Sequence, residues 1–198
     1  MSAAPTSIHH EILPNGLTLL LRETPLSPVV SLQIWVKVGS ADERPGELGL
    51  AHFHEHMLFK GTKRRGVGEV AAEIEGAGGS INAYTSFDIT VYHATLPREA
   101  LAVGLDVLTD AVRNSVFDPE EVTREREVVL EEIRRSKDSP LHVLSDAVFA
   151  EAYRVHPYRN PILGTAESVG SFDREQVMAF FERWYTPDNM VVVAAGDF

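Results

Sequence analysis

His52-Phe53-His54-Glu55-His56 sets two imidazoles four residues apart, with a carboxylate between them. An α-helix turns once every 3.6 residues, so positions i, i+3 and i+4 share one face. On a helix, His52 and His56 can therefore grip one divalent metal ion, and Glu55 can reach a water beside it. Zinc accepts neutral imidazole nitrogen and keeps an open fourth position where it does chemistry. A histidine pair one turn apart also occurs on solvated helix faces, and short motifs match by chance. His54 falls on a different face and reads as a supporting or structural residue. The stretch proposes a metal site that still lacks a third ligand.

Around it the chain reads as strands, one helix, strands, and then mostly helices. Two short strands flank the turn signal Pro14-Asn15-Gly16 within Glu11 to Glu23, the second of them over Leu17 to Arg22. Val29 to Val38 alternates apolar and polar residues, with Leu32, Ile34, Val36 and Val38 on one side, as a half-buried strand does. A polar loop over Gly39 to Glu47 leads into a helix over Leu48 to Phe59, which carries the histidines. A loop over Gly61 to Gly68 and a short helix over Val70 to Glu75 follow. Ser80 to Ser86 and Ile89 to Leu96 are β-forming. Helices are expected over Arg98 to Arg113, from Pro119 to about Ser136, over Leu141 to Tyr153 and over Asp173 to Tyr185. His156 to Gly164 reads as a loop and Met190 to Ala195 as a last strand. This order predicts an α+β fold rather than a β-α-β repeat.

The third ligand is sought on the helix that Asp118 and Pro119 open as N-cap and first residue. With Glu125 at zero, Glu132 falls within about 20° of it, and Val122, Val128 and Val129 lie within about 60°. Glu127 and Glu131 fall on the solvent side with Arg134. Glu125 and Glu132 thus lie within the apolar stripe, where a carboxylate is costly unless it is paired or metal-bound. Acid runs on helices are usually solvated. Combined with a histidine pair short of a ligand, they point to the metal instead.

Composition narrows the rest. Across 198 residues the apolar fraction is 44%, enough for a full core, and there is no cysteine, so a metal must use His, Asp and Glu. A formal net charge of −11 argues against nucleic acid as a partner. Met1 to Glu11 shows neither an apolar signal region nor a basic presequence, and no apolar run is long enough to span a bilayer. A soluble protein, with a cytoplasmic location favoured, is the expectation. The chain stops at Gly196-Asp197-Phe198, directly after a buried-looking strand, which suggests a fragment.

Gly49-Leu50-Ala51-His52-Phe53-His54-Glu55-His56-Met57-Leu58-Phe59-Lys60-Gly61-Thr62 closely resembles the zinc segment of the pitrilysin-like (M16) metallopeptidases, whose H-x-x-E-H signature marks the inverzincins. Gly78-Gly79-Ser80-Ile81-Asn82-Ala83-Tyr84-Thr85 is similar to the substrate-strand segment that follows in that family. Glu125-Arg126-Glu127-Val128-Val129-Leu130-Glu131-Glu132-Ile133 resembles its second zinc segment. The likeness continues through His156-Pro157-Tyr158 and Tyr185-Thr186-Pro187-Asp188-Asn189-Met190 to the end of the chain.

The resemblance implies a mixed, largely antiparallel sheet packed with helices. It makes residues 1–198 an N-terminal zinc-binding peptidase domain, and a fragment of a longer two-half protein. His52, His56 and Glu132 would ligate Zn2+, Glu55 would be the general base, and Glu125 would support the site. Asn82 and Ala83 would bind an extended peptide or unfolded segment added to the strand edge. The partners implied are that peptide substrate and a homologous C-terminal half or sister subunit, with no nucleic acid and no membrane. Exposed apolar surface where that half would pack suggests homo-oligomers as well. A zinc metalloendopeptidase is expected, with weak or no activity from this piece alone. A related fold with the same motif, the S-ribosylhomocysteine lyases, uses a cysteine that this chain lacks. Non-catalytic relatives usually lose motif residues, whereas His52, Glu55, His56 and Glu132 are all present here.

Overall fold

A computed structural model describes residues 7–198. The first six residues of the segment read above as free of targeting signals lie outside the described residues. Among those described, no helix is long and apolar enough to cross a membrane.

The chain opens with β1 (His9–Ile12) and β2 (Thr18–Glu23), which pair antiparallel across the Pro14-Asn15-Gly16 turn. β3 (Val29–Val36) follows. Its alternation is the expected one: Val30, Leu32, Ile34 and Val36 are buried, with half-exposed residues between them. α1 (Leu50–Met57) carries the histidines, and α2 (Glu69–Gly76) leads into β4 (Ser80–Thr85) and β5 (Thr90–Pro97). Then come α3 (Leu101–Asn114), α4 (Pro119–Lys137), α5 (Pro140–Ala152), α6 (Ala166–Ser171) and α7 (Arg174–Trp184), and β6 (Met190–Gly196) closes the order.

Among the described residues, six strands form one sheet in the order β1-β2-β6-β3-β5-β4. Among these described strands, β2 and β6 run parallel and the other pairs antiparallel, so the sheet is mixed and largely antiparallel, as expected. The last strand lies centrally, between β2 and β3, and β4 forms one edge. α1 and α3 pack on β5, α7 packs on α1, and α4 covers α1. The core lies between the buried face of the sheet and these helices, and includes Leu32, Tyr92, Phe53, Val107 and Phe180.

Several boundaries differ from the sequence reading for identifiable reasons. α1 begins two residues late because Gly49 adopts a left-handed conformation, with φ +99°. α6 was not anticipated. Its start carries a reciprocal cap between Thr165 and Ser168, in which serine stands where the more recognisable glutamate or glutamine would be. α5 forms as expected, yet none of its residues is buried, and Leu141, Leu144 and Val148 are all more than half exposed.

The loop before α6 meets the start of α1 backbone to backbone. A Cβ on Gly164, which has φ +75°, would stand 2.2 Å from the Leu48 carbonyl oxygen. A Cβ on Gly49 would stand 2.7 Å from the Leu163 carbonyl oxygen. Gly164→Ala should therefore cost about 1–3 kcal/mol through strain and displaced backbone, read as a lower denaturant midpoint.

Candidate metal centre

α1 is only eight residues long and lacks a side chain of its own to cap its first turn. Glu43, from the preceding loop, supplies the cap. Its Oε2 accepts from the Gly49 N–H and its Oε1 from the Ala51 N–H, each at 2.8 Å. Burial pushes the Glu43 carboxyl up to about 8, against these two N–H donors, which pull the other way. Ser168 Oγ donates to the Leu48 carbonyl at 2.6 Å on the same side. The middle of the helix is fixed by His54, which is fully buried. Its Nδ1 lies 2.8 Å from the Leu50 carbonyl and its Nε2 2.9 Å from that of Val177 on α7. Phe180 stacks on the ring at 4.9 Å. Burial lowers the pKa of His54 to about 4, against the Leu50 and Val177 carbonyls, which both raise it; a neutral ring donates to one of the two, and its packing joins α1 to α7.

With the helix held in this way, His52 and His56 project together toward α4. Nε2 of His52 lies 3.7 Å, and Nε2 of His56 3.6 Å, from Oε2 of Glu132. One ligand atom from each of the three lies within 4.8 Å of the others. Ligands about a tetrahedral zinc at 2.0–2.2 Å stand roughly 3.4 Å apart, so the donor set and its spacing fit that ion. Burial, with the neighbouring His56 adding to it, lowers His52 to about 3, which leaves a neutral imidazole able to ligate. Its Nδ1 is buried without a hydrogen-bond partner.

Glu125 lies behind His56. Its Oε1 accepts from Nδ1 of His56 at 2.7 Å, and its Oε2 meets the Lys60 ammonium at 2.6 Å. Burial works to raise this carboxyl, but the hydrogen bonds from His56 and Lys60 prevail and hold it below the usual range. Burial likewise works to lower His56, and the bond and charge of Glu125 overcome it, so His56 is raised. The two glutamates are not equivalent. Glu125 is buried as the helical wheel predicts, whereas the Glu132 side chain is 36% exposed, at the stripe's edge. The buried arc runs through Val122, Val129 and Ile133, and Val128 is 45% exposed. α4 packs chiefly against three helices, α1, α5 and α6.

Glu55 lies beside the group, and its Oε2 accepts from the Thr85 hydroxyl at 2.7 Å. Burial raises the Glu55 carboxyl, and the charge of Glu132 adds to that, against Thr85 and His56. A cleft of about 750 Å³ opens here, lined among others by His52, Glu55, Thr85, Glu132, Phe149 and Asn160. Asn82 and Ala83 stand on the edge strand β4. Asn82 is exposed, and its Oδ1 accepts from the Ala83 N–H at 2.9 Å, so that N–H is occupied by its own neighbour. Glu43, Lys60 and Thr85 escaped the sequence reading. A loop glutamate seven residues before a buried helix, a lysine after it and a threonine ending a strand carry no pattern without the tertiary contacts.

The family description "Insulinase (Peptidase family M16)" matches residues 18–166, and that of the "Peptidase M16 inactive domain" matches residues 171–198. The chain belongs to the M16 family of peptidases. It is 37% identical to an uncharacterized zinc protease of Rickettsia bellii over 93% of its own length and 45% of that protein. It is 38% identical to the mitochondrial-processing peptidase subunit beta of Blastocladiella emersonii over 93% of its own length and 40% of that one. Among solved structures, a protease from Helicobacter pylori superposes with a TM-score of 0.94 at 31% identity, over 98% of this chain and 47% of that chain. The chain thus spans about half the length of the relatives it matches, and the fold and family are those of M16 zinc proteases.

The Glu43 cap is open to a direct check. Glu43→Ala leaves two N–H groups of the first turn of α1 without acceptors, which should cost about 1–3 kcal/mol. Equilibrium denaturation of the metal-free protein reads that loss.

Proposed function

We propose that this domain is the zinc-bearing half of a metalloendopeptidase that hydrolyses extended peptides or unfolded segments. One observation carries the reading: His52, His56 and Glu132, drawn from two helices, converge beside a cleft that His52, Glu132 and Glu55 line. His52, His56 and Glu132 would hold the ion, with Glu125 orienting His56 from behind. Bound there, zinc supplies Lewis-acid chemistry, lowering the pKa of water and polarising a carbonyl. Glu55, with one oxygen held by Thr85, has its other oxygen available to take the proton of the attacking water and pass it to the leaving amine.

The substrate would lie along β4, an edge strand that ends at Thr85 and so delivers a peptide backbone next to Glu55. Main-chain pairing at an edge favours extended segments over folded ones. Asn82 would have to release the Ala83 N–H to a substrate carbonyl, which makes it a switchable edge cap. The relatives are about twice as long as this chain, and a second homologous half, on the same chain or on a sister subunit, would close the cleft. α5, whose apolar residues face solvent, lies on the cleft wall and suits such a contact.

The roles separate by substitution. About one zinc per chain is expected by elemental analysis, and His52→Ala or His56→Ala should abolish it. In the complete enzyme, Glu55→Gln should keep zinc and lose nearly all turnover, because an amide cannot accept the proton. Glu132→Gln should lose both, and Glu125→Gln should weaken zinc by roughly 10–100-fold. Equal zinc loss in all three glutamine variants would contradict this division.

The 198-residue chain alone should turn over an unstructured fluorogenic peptide at least about 10²-fold more slowly than a two-half assembly, the scale of a single lost oxyanion donor. Comparable rates from the two would show that the second half is dispensable.

A further inference from the structure

Lys60 stands four residues beyond His56, past the end of α1, and is part of no role assigned above. Its Nζ is 2.6 Å from Oε2 of Glu125, while Oε1 of the same carboxylate is 2.7 Å from Nδ1 of His56. The Glu125 side chain is only 4% exposed, so water cannot substitute for either partner. Each oxygen has one neighbour, and the carboxylate is stretched between a side chain of α1 and a side chain of the loop after it.

That loop is fixed on its far side. Gly61 turns it with φ +112°, and the Gly61 carbonyl accepts from the Val116 N–H at 3.3 Å. Thr62 Oγ1 donates to Oδ2 of Asp110 on α3 at 2.6 Å, and Arg65 Nη1 donates to the same oxygen at 2.7 Å. Asp110 and Arg65 are both buried, which makes the anchor a compensated pair that is costly to break. The ammonium of Lys60 is thus delivered to Glu125 from a loop that cannot drift.

We propose that Lys60 is a positioning residue of the metal centre. By holding Oε2 of Glu125 it fixes Oε1 on Nδ1 of His56, which keeps the imidazole ring turned with Nε2 facing His52 and Glu132. The inference rests on the zinc reading above and deepens it. Charge alone makes the opposite forecast, because removing a cation from the neighbourhood of a dication should strengthen metal binding. The sign of the change therefore separates positioning from simple electrostatics.

The test is zinc affinity of the full chain, measured by competition with a chromophoric chelator. The set is wild type, Lys60→Met, Lys60→Arg, Glu125→Gln, and the Lys60→Met/Glu125→Gln double variant, with His52→Ala as the site control. Zinc binding by wild type that does not depend on His52 would remove the metal reading itself. With that reading intact, Lys60→Met should weaken zinc by about tenfold, the lower end for a lost supporting contact. Lys60→Arg should recover most of the loss. In the Glu125→Gln background, Lys60→Met should change affinity by less than about twofold, as a residue acting through Glu125 must. Unchanged or tighter binding by Lys60→Met, equal losses in both backgrounds, or no recovery by arginine would each overturn the proposal. If circular dichroism shows that Lys60→Met does not fold, Lys60→Gln takes its place, with a severalfold loss expected and the same overturning outcomes.

Discussion

Glu125 is a carboxylate with almost no access to water, placed by α4 against the helix that carries the histidines. A lone ion there would be untenable, since desolvation of a carboxylate costs several kcal/mol and is recovered only by close, well-aligned partners. Two partners stand at 2.6 Å and 2.7 Å, Lys60 and His56. The requirement to compensate this one charge fixes the register of α4 against α1. With Glu125 seated, Glu132 falls two turns further along the same helix, at the rim of the cleft, opposite both imidazoles.

α1 itself has no independent claim to stability. A helix of eight residues is too short to persist alone in water. It is held at its start by Glu43 and by the close approach of Gly49 and Gly164, in its middle by His54 against α7, and below by the sheet. The orientation of His52 and His56 is therefore a product of packing. A site built this way is rigid because its supporting contacts are buried and mutually dependent.

The acids around the histidines then take on different characters through their surroundings. Glu125 is held ionised by two donors, Glu55 is raised by burial and tied to the end of β4 by Thr85, and Glu132 is left half-open to the cleft. Three carboxylates and two imidazoles are chemically similar as a list of residues. Burial and hydrogen bonding separate the carboxylates into a buried, doubly paired one, a raised one and a partly exposed one.

Much of this was legible from the chain. The four-residue histidine spacing, the alternation in β3, the Asp118-Pro119 helix start and the seven-residue step from Glu125 to Glu132 are local periodicities, and local periodicity is what a sequence records directly. They determine the α+β class and bring His52, Glu55, His56, Glu125 and Glu132 together as candidates. The sequence could not distinguish the buried Glu125 from the half-exposed Glu132, because the helical wheel gives an angle but not which arc a neighbouring helix covers. Nor could it find Glu43, Lys60 or Thr85, whose partners lie 8, 65 and 30 residues away, counting to Ala51, Glu125 and Glu55. Those contacts, and the placing of β6 between β2 and β3, exist only once the chain has closed on itself, since they are set by which surfaces bury each other rather than by any repeat along the backbone.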